Sequence, residues 1–434
     1  MSRSVFRLLL LAGLLAGCDR ARIDPVGTEL LVADPDLGVV QLSPALTLRL
    51  RPPEASGPLT VTVSGREAAF DSLEGAFVIE TTLARGLNRL PVTVVDDAGT
   101  LERDTLDAVY LPIQPIGVPG ALGLTPRSDA AAAALTSGVW LVSGGLDASD
   151  RPRPTADIVR QGSAGLLVQE VGALAPRTGH TATSFDGGAL LVGGTSTAEA
   201  RSGADFAATA EWVDAAGRTR PVEVVGGIAR TRHTTRLVTT DGVPYLYLYG
   251  GVTPSGDAVT RSGRIDVYEV AVTGEGYRLT RLSPSSGSGD FTPVADHLQV
   301  QTGATSAAIL GLAPAGTVAF GFDWTLPGTA TFPFSLRTRP VDGLFTDRTR
   351  AAAADLGAGL SLVLGGRTAQ GEVLGSLEVY AGEVDRSFLV PLSVRLQAPR
   401  YDHVATILGP GRIVIGGGRG TGGAVLSSYE SFQL

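Results

Sequence analysis

Lysine is absent from the 434 residues, so all 35 basic side chains are Arg, set against 43 acids. That excludes a Schiff-base lysine, lysine-anchored pyridoxal phosphate and a P-loop, whatever the fold. Cysteine occurs once, at Cys18, and histidine four times. Charged residues are only 18% of the chain and aromatics 6%, and no apolar run reaches the ~20 residues that cross a bilayer as a helix. The net charge of −8 argues against nucleic acid as a partner, because neutralising phosphates needs a basic surface. What is plentiful is glycine, 57 residues, and apolar side chains, 44%, in long alternations of Val, Leu and Thr. This pattern reads as an ordered, turn-rich, all-β chain. Its length suits two or three domains, or one large repeat assembly with an appendage.

The N-terminus begins MSRSVFR, a short positive stretch, followed by an apolar run from Leu8 to Ala16. Nine residues are too few to span a membrane and fit a signal peptide over 1–17. The run ends Leu15-Ala16-Gly17-Cys18, which resembles the lipobox of bacterial lipoproteins. The resemblance implies cleavage before Cys18, lipid attachment to its thiol, and membrane anchoring in the cell envelope on the exported side, with the leaflet left open. The anchor would consume the sole thiol, leaving no disulfide, zinc-thiolate cluster or catalytic cysteine. Losing Arg3 and Arg7 with the leader leaves 33 Arg against 43 acids. Residues 18–40, with Pro25, Pro35 and several acids, read as the lipidated Cys and a tether.

From 41 to 112 the alternation has period two, as in LTLRLR at 46–51, LTVTVSG at 59–65 and AFVIETTL at 76–83. Short strands of this kind are enough for a small two-sheet β-sandwich. The stretch NRLPVTVVDDAGT resembles the last strands of bacterial immunoglobulin-like surface modules, here acting as a spacer that holds the C-terminal part of the chain off the membrane.

The rest of the chain repeats. An apolar strand ending in a Gly pair recurs as LVSGG, LLVGG, YLYGG, LVLGG and IVIGG, and AFGFDW at 319–324 gives a sixth copy in which Phe322 replaces the second Gly. Ahead of the strand stands an Arg, at Arg127, Arg177, Arg230, Arg348 and Arg400. Behind the Gly pair comes an acid two residues before an aromatic or Val, at Asp157, Glu211, Asp266, Glu378 and Glu430. These three marks, in order, resemble the kelch repeat, as in the central domain of galactose oxidases. The resemblance implies a six-bladed β-propeller over 116–434, one four-stranded blade per repeat. The fourth copy departs from it, with Val294 in the Arg position and Phe332 to Phe334 in place of the acid, so its strand limits stay open. The copy that lost its Arg also lost its acid. An unpaired buried Arg is costly, so the two sets are expected to form structural ion pairs within or between blades.

His180, His233 and His403 stand three residues after the repeat Arg, and His297 three after Val294, while Ala130 and Ala351 fill the same place elsewhere. Spread around a ring, they read as packing residues, and no metal site or cofactor is expected. The last copy stops at SSYESFQL, short of an outermost strand, and PIGVPGALGLTPR at 115–127 matches the missing piece. Residues near 116–125 are therefore expected to pair with 426–433 and seal the ring.

Loops after the Gly pairs are long and varied, and they carry Arg151, Arg153, Arg201, Arg261, Arg367 and Arg419. Varied loops on a repetitive scaffold suit recognition, and forked guanidinium groups suit an anionic or carbohydrate ligand. Copper oxidases of the galactose-oxidase type need a Cys cross-linked to Tyr, which the lipobox Cys cannot supply. The sialidase Asp-box S-x-D-x-G-x-T-W does not occur, and GGGRGTGG at 416–423 lacks the Lys and helix of a nucleotide loop. The expectation is a lipid-anchored envelope protein whose propeller loop face recognises a protein or glycan without catalysis. A carbohydrate-active enzyme of epimerase or lyase type, with its site in the propeller funnel, is the alternative; a structural scaffold of an envelope complex is the third.

Overall fold

Alternation of apolar and polar residues turns one side of each strand toward a core, and the glycine-rich turns let successive strands fold back antiparallel. The computed structural model describes residues 31–51, 58–97, 99, 101–116, 124–162, 165–172, 174–207, 209–282, 292–303, 306–313, 316–325, 335–340, 346–382, 387–409 and 411–434, with side chains of 31–34, 101–102, 301–306 and 312–345 not described. The leader and Cys18 lie outside the described residues. The described chain is all-β, and its helical content is a single 3-10 turn at Gly203–Asp205.

Two four-stranded sheets come first. One has Leu31–Asp34, Ala45–Arg51, Ala76–Thr82 and Ala69–Asp71 in that lateral order; the other has Arg66–Glu67, Leu59–Val63, Gly86–Asp96 and Leu101–Tyr110. Leu46, Leu48 and Leu50 of the first sheet and Val61, Val63 and Val92 of the second close one core. The tether expected over 18–40 is corrected at its end. Leu31–Asp34 pairs with Ala45–Arg51, Leu37 is buried in this core, and Val40 is buried against the repeats. Apolar residues that find a core do not stay a linker.

The sandwich is also more than a spacer. Val40, Val109, Leu111 and Ile113 share one continuous core with Leu362, Val390, Ile413 and other repeat residues. The Val40 amide donates to Pro391 O at 3.0 Å, and Arg85 Nη2 to Leu356 O at 3.4 Å.

The repeats form antiparallel sheets of four strands, for example Ala131–Thr136, Val139–Ser143, Ala156–Gly162 and Gly165–Val171; in the third repeat a separate hairpin, Val252–Ser255 with Ala258–Arg261, intervenes, and the last repeat draws its fourth strand from upstream. Outer strands of the second and third repeats, Thr219–Val225 and Tyr277–Leu282, pair parallel and merge those two into one eight-stranded sheet. The first strands, Ala131–Thr136, Thr181–Phe185, Thr234–Thr240, Leu298–Gly303, Ala352–Gly357 and Val404–Ile407, lie each against the next, and the last returns to the first. The second strands are the driest; Gly188–Val192 and Leu360–Leu364 are buried at every residue.

The Gly pairs sit where no side chain fits. Gly365 has φ +55°, and a Cβ there would lie 2.6 Å from Arg400 O; Gly366 has φ +93° and faces Thr349 O and Ala351. In the last repeat the pair that meets these neighbours is Gly417–Gly418, one residue later than the IVIGG pattern suggests.

The fourth repeat needs correction. Its second strand is Ser306–Ala313, and Gly311 faces His297 as the second Gly of other repeats faces its own histidine. Leu310 therefore takes the first-Gly position, and AFGFDW belongs to the third strand, Gly316–Thr325. Ala308 opposes Gly321, as Val142 opposes Asp157. Gly321, not Phe332 to Phe334, thus stands in the acid position; 332–334 fall outside the described residues.

Closure is also shifted. Pro115 opposes Phe432 and Gln114 opposes Gln433, and the Ile116 amide donates to Ser431 O at 2.8 Å. Among the described residues the seal is made by Gln114–Pro115 and the Ile116 amide, so it begins two residues ahead of the expected 116–125, because Leu111 and Ile113 are already fixed in the shared core and the chain meets the open edge immediately. Residues 117–123 are outside the described set, and the chain is next placed with Thr125, whose amide donates to Asp157 at 2.9 Å.

Candidate functional site: a charged hub on the ring axis

Each repeat Arg is sequestered beside its acid. Arg127 meets Asp157 at 3.2 Å, Arg177 meets Glu211 at 2.9 Å, Arg348 meets Glu378 at 3.1 Å, Arg400 meets Glu430 at 3.0 Å, and Arg230 meets Asp266. All five pairs lie within a repeat. In each, the guanidinium also donates to the carbonyl of the first Gly of the pair, as Arg400 Nη1 does to Gly417 O at 3.0 Å. The Arg thereby ties the loop before the first strand to the Gly turn and to the third strand. These ten residues are committed to the scaffold.

Two residues beyond the Arg position the chain does something the sequence reading missed. Asp129, Gly179, Arg232, Asp296, Arg350 and Asp402 all have positive φ, between 50° and 65°. Each amide donates to the carbonyl of the preceding member: Asp129 to Asp402, Gly179 to Asp129, Arg232 to Gly179, Asp296 to Arg232, Arg350 to Asp296 and Asp402 to Arg350, at 2.7–3.2 Å. The hydrogen bonds run once around the axis and close. The shared signal was present as a left-handed turn position, but its residue types differ, and only Asp and Gly among them favour such a φ.

The hub's side chains converge. Arg232 reaches Asp296 at 3.1 Å and Asp129 at 4.0 Å; Arg350 reaches Asp402 at 2.8 Å and Asp296 at 3.8 Å. Thr178 Oγ1 donates to Asp129 at 2.7 Å. Around the ring, Asp402 and Asp129 are neighbours and Gly179 follows with no side chain, so acid accumulates on one side. Burial, with the Asp129 and Asp296 charges added, pushes the Asp402 carboxyl up to about 7, although Arg350 opposes the shift. Asp296 is held below the usual carboxylate range, because Arg232 and Arg350 outweigh its burial.

In five of the six repeats the residue just before the hub position bridges to the residue just after the Gly pair: Ser128 with Leu146, Thr178 with Thr195, Thr231 with Val252, Thr349 with Arg367 and Tyr401 with Arg419. The varied loops therefore open at the same end as the hub. Of their arginines, Arg151, Arg201 and Arg261 are exposed, and Arg261 acts electrostatically on Asp296. The other three are half-buried. Arg153 Nε donates to Pro126 O at 3.1 Å, Arg367 stacks 5.1 Å over the Tyr401 ring, and Arg419 joins the last repeat to the first through Ser128 Oγ and the Asp150 carboxylate.

The histidines do not converge. His180, His233 and His297 each bond through Nε2 to a hydroxyl of the preceding repeat, Ser143, Thr181 and Thr234. Burial drives all four imidazoles down, His297 and His403 to about 3. Among the described residues no group of three or more His, Cys, Asp or Glu could hold a metal ion, and no helix is long and apolar enough to cross a membrane.

No family model matches the sequence, and no curated protein does. Among solved structures the chain is similar to YjhT, with a TM-score of 0.51 and 12% identity over 70% of this chain and 95% of that one. At that identity the likeness concerns the fold.

Proposed function

We propose that the chain is an exported, lipid-anchored cell-envelope protein in which a six-bladed kelch-type propeller, carried on an immunoglobulin-like sandwich, recognises a protein or glycan at its loop face without catalysis. The observation that carries the recognition site is the axial hub. Five charged side chains gather at the end of the ring where the varied loops and the exposed side chains of Arg151, Arg201 and Arg261 also open. Supporting six blades are the closed circuit of six hub hydrogen bonds and the circuit of first strands. The lipobox at Leu15 to Cys18 supports the anchor. The hub charges are largely neutralised by one another, which favours a docking surface over a reacting centre.

One observation favours the carbohydrate-active alternative: a carboxyl at Asp402 poised near neutrality beside Arg350 suits general acid or base work. A single experiment separates the readings. Glycan arrays and envelope extracts are presented to the chain and to an Arg151→Ala, Arg201→Ala, Arg261→Ala variant, and captured ligands are followed for turnover. Recognition predicts capture that the variant loses and ligand recovered unchanged. Turnover that Asp402→Asn abolishes would establish the enzyme instead, and capture equal in parent and variant would exclude the loop face as the recognition site.

A further inference from the structure

The end of the sandwich that points away from the repeats carries apolar side chains that the fold leaves uncovered. Leu73, in the turn between Ala69–Asp71 and Ala76–Thr82, is 96% exposed, the most of any large apolar side chain among the described residues. Phe70, on the strand that enters this turn, is 59% exposed, with its ring 5.1 Å from that of Phe77. Polar bonds fix the turn in this form. The Asp71 carboxylate accepts from the Leu73 and Glu74 amides at 2.9 and 3.3 Å, the Asp71 carbonyl accepts from the Gly75 amide at 2.8 Å, and Arg49 Nε donates to Glu74 at 2.8 Å. Asp, Ser and Gly are residues that such a turn selects; a leucine at its apex answers no requirement of the backbone.

Strand register places this turn relative to the N-terminal segment. Leu31 opposes Arg51, Leu50 opposes Phe77, and Phe77 opposes Phe70. The first described residue and the Leu73 turn therefore lie at the same end of one sheet, three strand spacings or about 14 Å apart across it. The opposite end, where Ala45 opposes Thr82, leads to Val40 and Arg85, which bond to the repeats. Leu31 lies 13 residues after Cys18, a reach of at most about 45 Å. A lipid on Cys18 thus approaches the sandwich at the end where Leu73 and Phe70 are bare.

We propose that the Leu73 turn, with Phe70, inserts into the surface of the membrane that holds the Cys18 lipid, and so sets the tilt of the sandwich and the direction of the ring axis. The proposal rests on the lipid-anchor reading. Apolar side chains of this size are stable at the boundary between headgroups and acyl chains. The lipid supplies the affinity and the turn the orientation, because one point of attachment fixes no angle and a second contact at a distance from it does.

The test uses the full lipidated chain in phosphatidylethanolamine–phosphatidylglycerol vesicles, with an environment-sensitive nitrobenzoxadiazole label on Ser72→Cys; with Cys18 held in a thioether, the new thiol is the only one. The expected result is a blue-shifted emission that acyl-chain spin-labelled lipid quenches, with quenching several-fold weaker in Leu73→Asp, a change that the exposure of this side chain leaves folded. The same label on Val272→Cys, an exposed apolar position in the third repeat, is expected to stay in water. A Ser72 label in water, on a chain whose mass shows the lipid on Cys18, would overturn this proposal alone; a mature chain without lipid would overturn the anchor reading and the proposal with it. Quenching that Leu73→Asp retains would assign the insertion to the label, and a blue shift without quenching would mark a protein neighbour such as a second copy; either result also overturns the proposal.

Discussion

A guanidinium without a carboxylate partner is the worst occupant of a dry interior, and five of these repeats contain the pair while the fourth has neither member. We therefore predict that Arg400→Ala, which strands the buried Glu430, costs about 3–5 kcal/mol of stability. Joint replacement, Arg400→Met with Glu430→Leu, should cost clearly less, as read by denaturant unfolding. Equal losses would mean that the guanidinium's backbone contacts to Gly417 and Ser428 dominate over the charge pair. Titration separates two other kinds of residue. The four buried histidines have lowered folded-state pKa values, so the unfolded chain binds more protons below the ordinary value of about 6.5. Their contribution is present at neutral pH and is lost as pH falls toward about 3, the value for His297 and His403. Asp402 has the opposite sign. Raised to about 7, it favours the folded state at low pH, and that contribution fades as pH rises from about 4 to about 7. Asp402→Asn should therefore steepen the loss of stability on acidification from pH 7 to 4, measured as Tm against pH; an unchanged profile would contradict the shifted carboxyl. The ion pairs were legible in the sequence because Arg and acid vanish together. The hub was not, since Asp, Gly and Arg share a backbone angle and no side-chain chemistry.

Among the elements, the Gly pair at the end of each second strand decides the packing of the next repeat. Gly365 holds φ +55° with the Arg400 carbonyl 2.6 Å from where a Cβ would stand, so Gly365→Ala combines an unfavourable angle with a collision that the backbone has to relieve. A loss of about 1–3 kcal/mol is expected, read by denaturant unfolding, whereas Gly256→Ala, in an open turn with a similar φ of +60° but nothing within 4 Å, should lose less. Equal losses would assign the effect to backbone angle alone. The same element explains where sequence reading went astray. In the fourth repeat Leu310 replaces the first glycine, so the pattern search moved on to the next Gly-containing strand and placed the repeat one strand too late. Register settles what letters could not: Ala308 opposite Gly321 mirrors Val142 opposite Asp157. Strand alternation, by contrast, was legible throughout, because period-two burial leaves a direct imprint on composition.

For the whole molecule, the chain fastens its own end. The sandwich is fused to the repeats through a common core, and the segment leaving it supplies the outermost strand of the last repeat. Sequence placed that event a few residues too late, since a match of letters near 116–125 could not show that Leu111 and Ile113 are already anchored. The seal is reinforced at two other levels, the hub bond from Asp129 to Asp402 and the side-chain bridge from Arg419 to Ser128 and Asp150. All three join sequence-distant ends, and without them the first and last repeats would present open edges. The measurement that tests this closure most directly is a cross-strand disulfide. Gln114 and Gln433 are direct partners in the sealing pair, and the chain offers no competing thiol once Cys18 is Ser. Gln114→Cys with Gln433→Cys is expected to form an intramolecular disulfide under mild oxidation and to gain about 2–4 kcal/mol of stability that reduction removes. A pair that stays reduced, or links only between molecules, would contradict closure at these residues.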